Sequence, residues 1–198
     1  ASSAVAVMGQ AVAIAAQKVR KEILEFAAGQ LGCKPDVLDL EDGSIRKGNE
    51  AHPLNLLVMG YYGGAGVEFT ADGYFKAPLD HDAPLESPCV FWEIGWGGAE
   101  VEVDPETGEV TLLKLVVSGD AGKAIHPLVC QGQDEGAAMM GVSQALFETM
   151  KYDGTRLTNG TPLSYRVPLA SDMPSKFWSI TQEQGHGPGP FGAKGMGE

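Results

Sequence analysis

Three features of this 198-residue chain predict a mixed α+β fold, with helices in a second layer over a mostly antiparallel sheet. Apolar residues near the start recur at helical spacing. A central stretch alternates apolar with acidic residues. A run rich in small residues, also of helical character, follows a long apolar strand.

The first helix is read from Val12, Ala16, Val19, Ile23 and Phe26, which fall at three- and four-residue steps and share one face. Gly32 can stop it and Pro35 opens a short turn. Asp42-Gly43 predicts a tight hairpin between Val37–Glu41 and Ser44–Lys47. Leu54–Tyr62 reads as a short helix ended by Gly63-Gly64. Ala99, Val101 and Val103 alternate with Glu100, Glu102 and Asp104, the pattern of a half-buried strand. Asp104 to Gly108 makes a turn, and Val110–Val117 returns as a central strand. A second long helix is expected from about Gln133 to Met150. Gly136 and Gly141 cost it roughly 1 kcal/mol each relative to alanine, so they are expected to serve close packing. Phe177–Gln182 is the last expected strand. Two lobes follow: residues 1–80, a helix plus hairpin, and residues 81–198, a sheet plus helix ending in a glycine-rich loop.

The formal net charge of −12 and the absence of a Lys/Arg cluster speak against a nucleic-acid partner. No apolar run is long enough to span a bilayer, and the alanine-rich start has no basic leader, so a membrane partner is not expected either. Cys33, Cys89 and Cys130 are odd in number and widely spaced, which suggests reduced thiols in a cytoplasmic setting. Cys130 is read as a small buried residue in preference to a reactive thiol. His52, His81, His126 and His186 show no metal-ligand spacing, so no protein-ligated metal is expected.

Gly187-Pro188-Gly189-Pro190-Phe191-Gly192 matches the G-x-G-x-x-G string of dinucleotide-binding folds, but two of its positions are prolines without an N–H to offer a pyrophosphate. The tail Phe191-Gly192-Ala193-Lys194-Gly195-Met196-Gly197-Glu198 places one carboxylate after glycines that admit a bulky ligand.

Several ordered blocks carry a family resemblance. Val116 to Pro127 (VVSGDAGKAIHP), Gly132 to Gly136 (GQDEG), Val101 to Val110 (VEVDPETGEV), Tyr165 to Pro168 (YRVP), Asp172 to Pro174 (DMP) and the Gly-x-Lys-Gly-x-Gly-Glu end resemble the large subunits of the xanthine dehydrogenase/aldehyde oxidase (molybdenum hydroxylase) family. Ala1 to Ala4, ahead of Gly9-Gln10-Ala11-Val12, is similar to the family's Ser/Ala loop before a long helix. His126 stands where the family has Asn, Ala137 and Ser143 replace frequent glycines, and Met140 replaces a polar residue.

The resemblance implies a fragment of the C-terminal molybdenum-cofactor-binding domain. The chain begins without Met in a Ser/Ala stretch and stops in a glycine turn, in keeping with a piece of a longer protein. It implies that Glu198 is the catalytic base, that Gln133 contacts the molybdenum-pyranopterin cofactor through its amide, and that Ala1, Ser2 and Ser3 line the loop holding the cofactor's phosphate. Ser2/Ser3 and Gln133 are further expected to precede or open helices, whose free N–H groups suit an anion. The implied reaction oxidises an aldehyde or N-heterocycle, a small-molecule substrate, with water as oxygen source. The cofactor takes its simple or dinucleotide form. With no cysteine spacing for a [2Fe-2S] cluster here, iron–sulfur clusters and FAD are expected on other segments or subunits, the remainder of the large subunit is a partner, and the fragment alone is expected to be inactive. The alternative is a non-catalytic structural or assembly module that keeps the fold.

Overall fold

A computed structural model describes residues 3–79, 81 and 88–197; Ala1, Ser2 and Glu198 lie outside the described residues, as does the side chain of Ser3. The chain forms two compact units, Val7–Lys76 and a second made of Ala1–Ala6 with Ala77–Glu198.

The Val7–Lys76 unit is built on α1 (Ser3–Leu31), whose first residues belong to the other unit. Only the C-terminal half of the expected stripe is buried. Ile23, Leu24, Ala27 and Ala28 pack with Leu38 and Ile45, while Val12 and Ala16 are exposed. Three antiparallel strands, β1 (Leu38–Glu41), β2 (Ser44–Lys47) and β3 (Glu50–Pro53), cover that half. Asp42 and Gly43, with φ of 47° and 71°, form the tight β1–β2 turn. The next helix, α2 (Leu54–Tyr62), lays Tyr61 and Tyr62 against Phe26, which also meets Phe69.

In the second unit β4 (Gly95–Val103) pairs antiparallel with β5 (Val110–Asp120) around the Asp104–Gly108 turn. Asp104 accepts from the N–H groups of Glu106 and Thr107, which hold its carboxyl below the usual range. Then comes α3, spanning Pro127–Leu146, six residues earlier at its start and four at its end than expected. After the two-stranded ribbon β6 (Tyr152–Asp153) and β7 (Arg156–Leu157), β8 (Lys176–Gln182) joins β5 in parallel, so the sheet is mixed, in the order β4-β5-β8.

The early start of α3 has a local cause. Pro127 occupies the first helical position, where a missing N–H costs nothing, and His126 Nδ1 caps the helix by accepting from Val129 N at 3.3 Å. The histidine thus fills the capping role an asparagine would fill. Gly136 and Gly141 have nothing within 4 Å of a Cβ placed there, so the packing expected of them is not made among the described residues.

Candidate functional site

The last strand leads into a loop that folds on itself. Gly187 N donates to Gly192 O, Gly189 N to Ala193 O, Gly192 N to Gly189 O and Ala193 N to Pro190 O. The three glycine amides of the G-x-G-x-x-G string are therefore spent inside the loop, which weakens the basis of a pyrophosphate site there.

Hydrogen bonds and one ion pair seat this loop on the end of β5. Gly185 N donates to Gly122 O and Lys194 N to Ala121 O. Lys194 Nζ lies 2.5 Å from Asp120 Oδ2, with both side chains under a tenth exposed. Asp120 Oδ1 also accepts from Gly122 N at 2.9 Å and Gln184 N at 3.3 Å. Burial pushes the Asp120 carboxyl up, but the Lys194 hydrogen bond, the two N–H groups and the lysine's charge outweigh it and leave it below the usual range. Nearby, Glu183 accepts from Ala124 N at 2.8 Å and pairs with Lys123 at 3.0 Å, and both partners hold its carboxyl down.

Beyond Lys194 the chain passes Met196, buried, and reaches Gly197. A Cβ on Gly197 would fall 2.5 Å from Gln133 Cβ and 2.7 Å from Gln133 C, and its φ is +77°. Glycine at this position lets the loop rest directly on the backbone of α3. Ala4 and Val5, from the first turn of α1, line a cavity of about 320 Å³ together with His126, Cys130, Gln133, Lys194 and Met196. The opening N–H groups of α1 have no partner within the helix. Burial pushes the Cys130 thiol up, the state of an unreactive cysteine.

Residues from three distant stretches thus meet: the start of α1, Gln133 and the loop ending at Gly197. Glu198, Ala1 and Ser2 lie outside the described residues, and Ser3 is the first residue of α1. One expectation needs correcting. Gln133 does not open a helix but sits in the second turn of α3, where its backbone N–H faces an earlier carbonyl; only its exposed side chain is available to a ligand.

Sequence reasoning missed Asp120, Lys194, Glu93 and Asp134. Asp134 is buried with one bond, from Ser179 Oγ at 3.4 Å, and burial pushes its carboxyl up. The signal for it was an acid directly beside Gln133 in a helix that leaves Gln131, Gln133 and Gln144 exposed. For the Asp120–Lys194 pair, 74 positions apart, no local spacing could have served.

Comparison with known proteins gives a consistent result. Residues 1–174 match the family described as the molybdopterin cofactor-binding domain. The chain is 32% identical over 193 residues to the 6-hydroxypseudooxynicotine dehydrogenase complex subunit gamma of Paenarthrobacter nicotinovorans, covering 96% of this chain and 24% of that protein. It is 28% identical to the probable hypoxanthine oxidase of Escherichia coli (strain K12), covering 100% of this chain and 20% of that one. Among solved structures, the Cu,Mo-CO dehydrogenase superposes with a TM-score of 0.76 at 22% identity, covering 99% of this chain and 24% of the other, a likeness of fold. The aldehyde oxidoreductase from Desulfovibrio desulfuricans superposes with a TM-score of 0.66 at 27% identity, covering 98% and 18%. The chain therefore spans about a quarter or less of the relatives it matches.

Proposed function

Since the chain belongs to the molybdopterin cofactor-binding domain family, we propose that it supplies one wall of the cofactor site in a larger enzyme that oxidises an aldehyde or N-heterocycle with water as the oxygen source. The observation that carries this reading is the contact of Gly197 with Gln133 beside the first turn of α1. Around one cavity beside that contact lie Lys194, Gly195 and Met196 of the tail, Gln133, and Ala4 and Val5.

The residues present fit the group. Gln133 offers a carboxamide at the cavity, able to donate and accept. Ser3, Ala4 and Val5 belong to the opening turn of α1, whose unpartnered amides and positive dipole end suit a phosphate; Ala1 and Ser2 would extend that loop. The bound cofactor would supply a two-electron oxidant, the acceptor for the electron pair of the substrate C–H bond that breaks. Glu198 would act as general base, taking the proton from the water-derived oxygen as that oxygen attacks the substrate carbon.

Several further statements belong to the same reading. The remainder of the large chain completes the site, iron–sulfur and flavin segments or subunits carry electrons away, and the fragment alone is inactive. Its first relative is named as a complex subunit, which supports a multi-subunit parent. Three free cysteines support a cytoplasmic setting, and among the described residues no helix is long and apolar enough to cross a membrane.

The test is elemental analysis of the intact parent complex, made in a host that produces the cofactor. Near-stoichiometric molybdenum that falls in Gln133→Ala supports the reading. Glu198→Gln should retain the metal and lose about 10²–10⁴-fold in turnover. A folded complex without molybdenum would replace this reading with that of a non-catalytic module.

A further inference from the structure

We infer that Glu93 is a positioning residue whose carboxylate clamps the peptide leading into residue 198. The inference rests on the reading of Glu198 as the base. Glu93 stands two residues before β4, at the edge of the sheet. Its Oε1 accepts from Gly197 N at 3.2 Å, across 104 positions of sequence. Gly197 is thereby gripped on two sides, by this bond and by the backbone of Gln133 against its α-carbon. A carboxylate acceptor gives a stronger bond to an N–H than a neutral one does. Rotation about the 196–197 linkage would swing the following residue, so a bond at the Gly197 amide is well placed to fix the direction in which residue 198 leaves.

The surroundings keep Glu93 in place. It lines a cavity of about 540 Å³ with Gly95, Gly119, Asp134 and Gly197. Gly119 is the seat: a Cβ there would lie 2.8 Å from Glu93 Oε1, 3.1 Å from Met196 Cε and 3.2 Å from Asp134 Oδ1. A Cβ at this point of β5 would press on the carboxylate that reaches Gly197. Asp134, buried and held by Ser179 of β8, closes the far side. Among the described residues, the lining of this cavity shares no member with that of the cavity of Ala4, Val5 and Gln133.

Glycine-rich ends are otherwise loose, and a reacting group misplaced by about 1 Å can cost on the order of 100-fold in rate. A clamp at residue 197 answers that need without contacting substrate.

The test uses the full parent complex and reads hydrogen exchange of the segment 191–198 by mass spectrometry. In Glu93→Ala the Gly197 amide should exchange about tenfold faster, while α3 and β5 keep their protection. Glu93→Gln retains a carbonyl acceptor and should restore exchange to within about threefold of the wild type. Gly119→Ala should displace the intact Glu93 and speed exchange as Glu93→Ala does, providing a second route if that variant folds poorly. Molybdenum content stays unchanged throughout. With benzaldehyde and hypoxanthine as probes, kcat falls by up to about 100-fold in Glu93→Ala with KM held, and Glu93→Gln recovers most of it.

Unchanged exchange at Gly197 in Glu93→Ala overturns the inference. So does a loss of protection spread over α3 and β5, or a failure of Gln to rescue. If Glu198→Gln turns over normally, the base reading has failed, whatever Glu93 does. If Glu198→Gln is inactive and Glu93→Ala is normal in exchange and kcat, only the clamp has failed.

Discussion

The two units of this chain spend burial differently. In Val7–Lys76 the buried residues are an apolar cluster, Ile23, Leu24, Ala27, Ala28, Leu38 and Ile45, closed by one amphipathic half-helix and a three-stranded sheet. In the other unit the buried set includes Ser118, Asp120, Asp134, Ser143 and Asn159, and its apolar members are mainly alanines with Leu115 and Met196. There the large apolar side chains lie outside: Trp96, Trp178 and Ile180 on one face of the sheet, Leu128, Val129 and Met140 on α3. The first unit is a core in the ordinary sense. The second holds a loop in place by charge and hydrogen bonds, and both units leave large apolar side chains exposed, Met8, Val12 and Leu56 among them in Val7–Lys76. A folded protein of 20.8 kDa is expected to expose about 9,000 Å², or about 11,000 Å² as two separate bodies. This chain exposes 13368 Å², in keeping with relatives four to five times its length.

The comparison can be broken at its strongest point first. Lys194→Met leaves Asp120 buried and uncompensated, and should cost about 3–5 kcal/mol. Hydrogen exchange resolved by unit should place that loss in the loop unit and spare Val7–Lys76. The same pair fixes a pH dependence. Asp120 is held below its ordinary 3.8, so the folded state binds fewer protons than the unfolded one as pH falls through that range. Its contribution is full above about pH 4 and lost as pH drops below it, and Lys194→Met should flatten the acid limb of the unfolding curve.

Ile45→Ala tests the other side. Ile45 is fully buried, and its truncation should cost about 2–5 kcal/mol by denaturant unfolding, with exchange rising in Val7–Lys76 and not around Asp120. Smaller is the cap: His126→Ala should cost about 1 kcal/mol of α3 stability, and His126→Asn should recover it. Smallest is Lys114→Ala, which removes an exposed pair with Glu100 and should shift stability by less than about 1 kcal/mol. A large loss there would mean the sheet surface is more constrained than its exposure indicates.

What the sequence revealed follows the reach of the forces involved. Asp42-Gly43, Leu54–Tyr62 and the 177–182 strand were legible because each is specified by neighbours within a few residues. The 99–104 stretch was legible as a strand, but every residue of β4 is exposed, so the half-burial read from its alternation is not found among the described residues. The start of α3 was missed because its cap is a histidine, a weak signal beside Ser or Asp, and because the Gly132-Gln133 segment drew the boundary inward. Gly136 and Gly141 were read as packing glycines, but no surface meets them among the described residues. The resemblance named Gln133, and the structure places it against Gly197 and at the cavity lined by Ala4 and Val5. Asp120 with Lys194, and Glu93 with Gly197, were invisible, since pairs separated by 74 and 104 residues leave no spacing to find.

The parallel entry of β8 beside β5 has a consequence in time. Asp120, Ala121 and Gly122 are made early, yet their partners Gln182, Gln184, Gly185 and Lys194 come more than sixty residues later. At a synthesis rate of roughly 5–20 residues per second, the turn after β5 waits several seconds on the ribosome with its acid unpaired. Val7–Lys76 can close its core during that wait, since every contact in its buried cluster is already available. The seam that shapes the site is thus the last to form, and chaperones that shield nascent chains would meet the molecule at that stage.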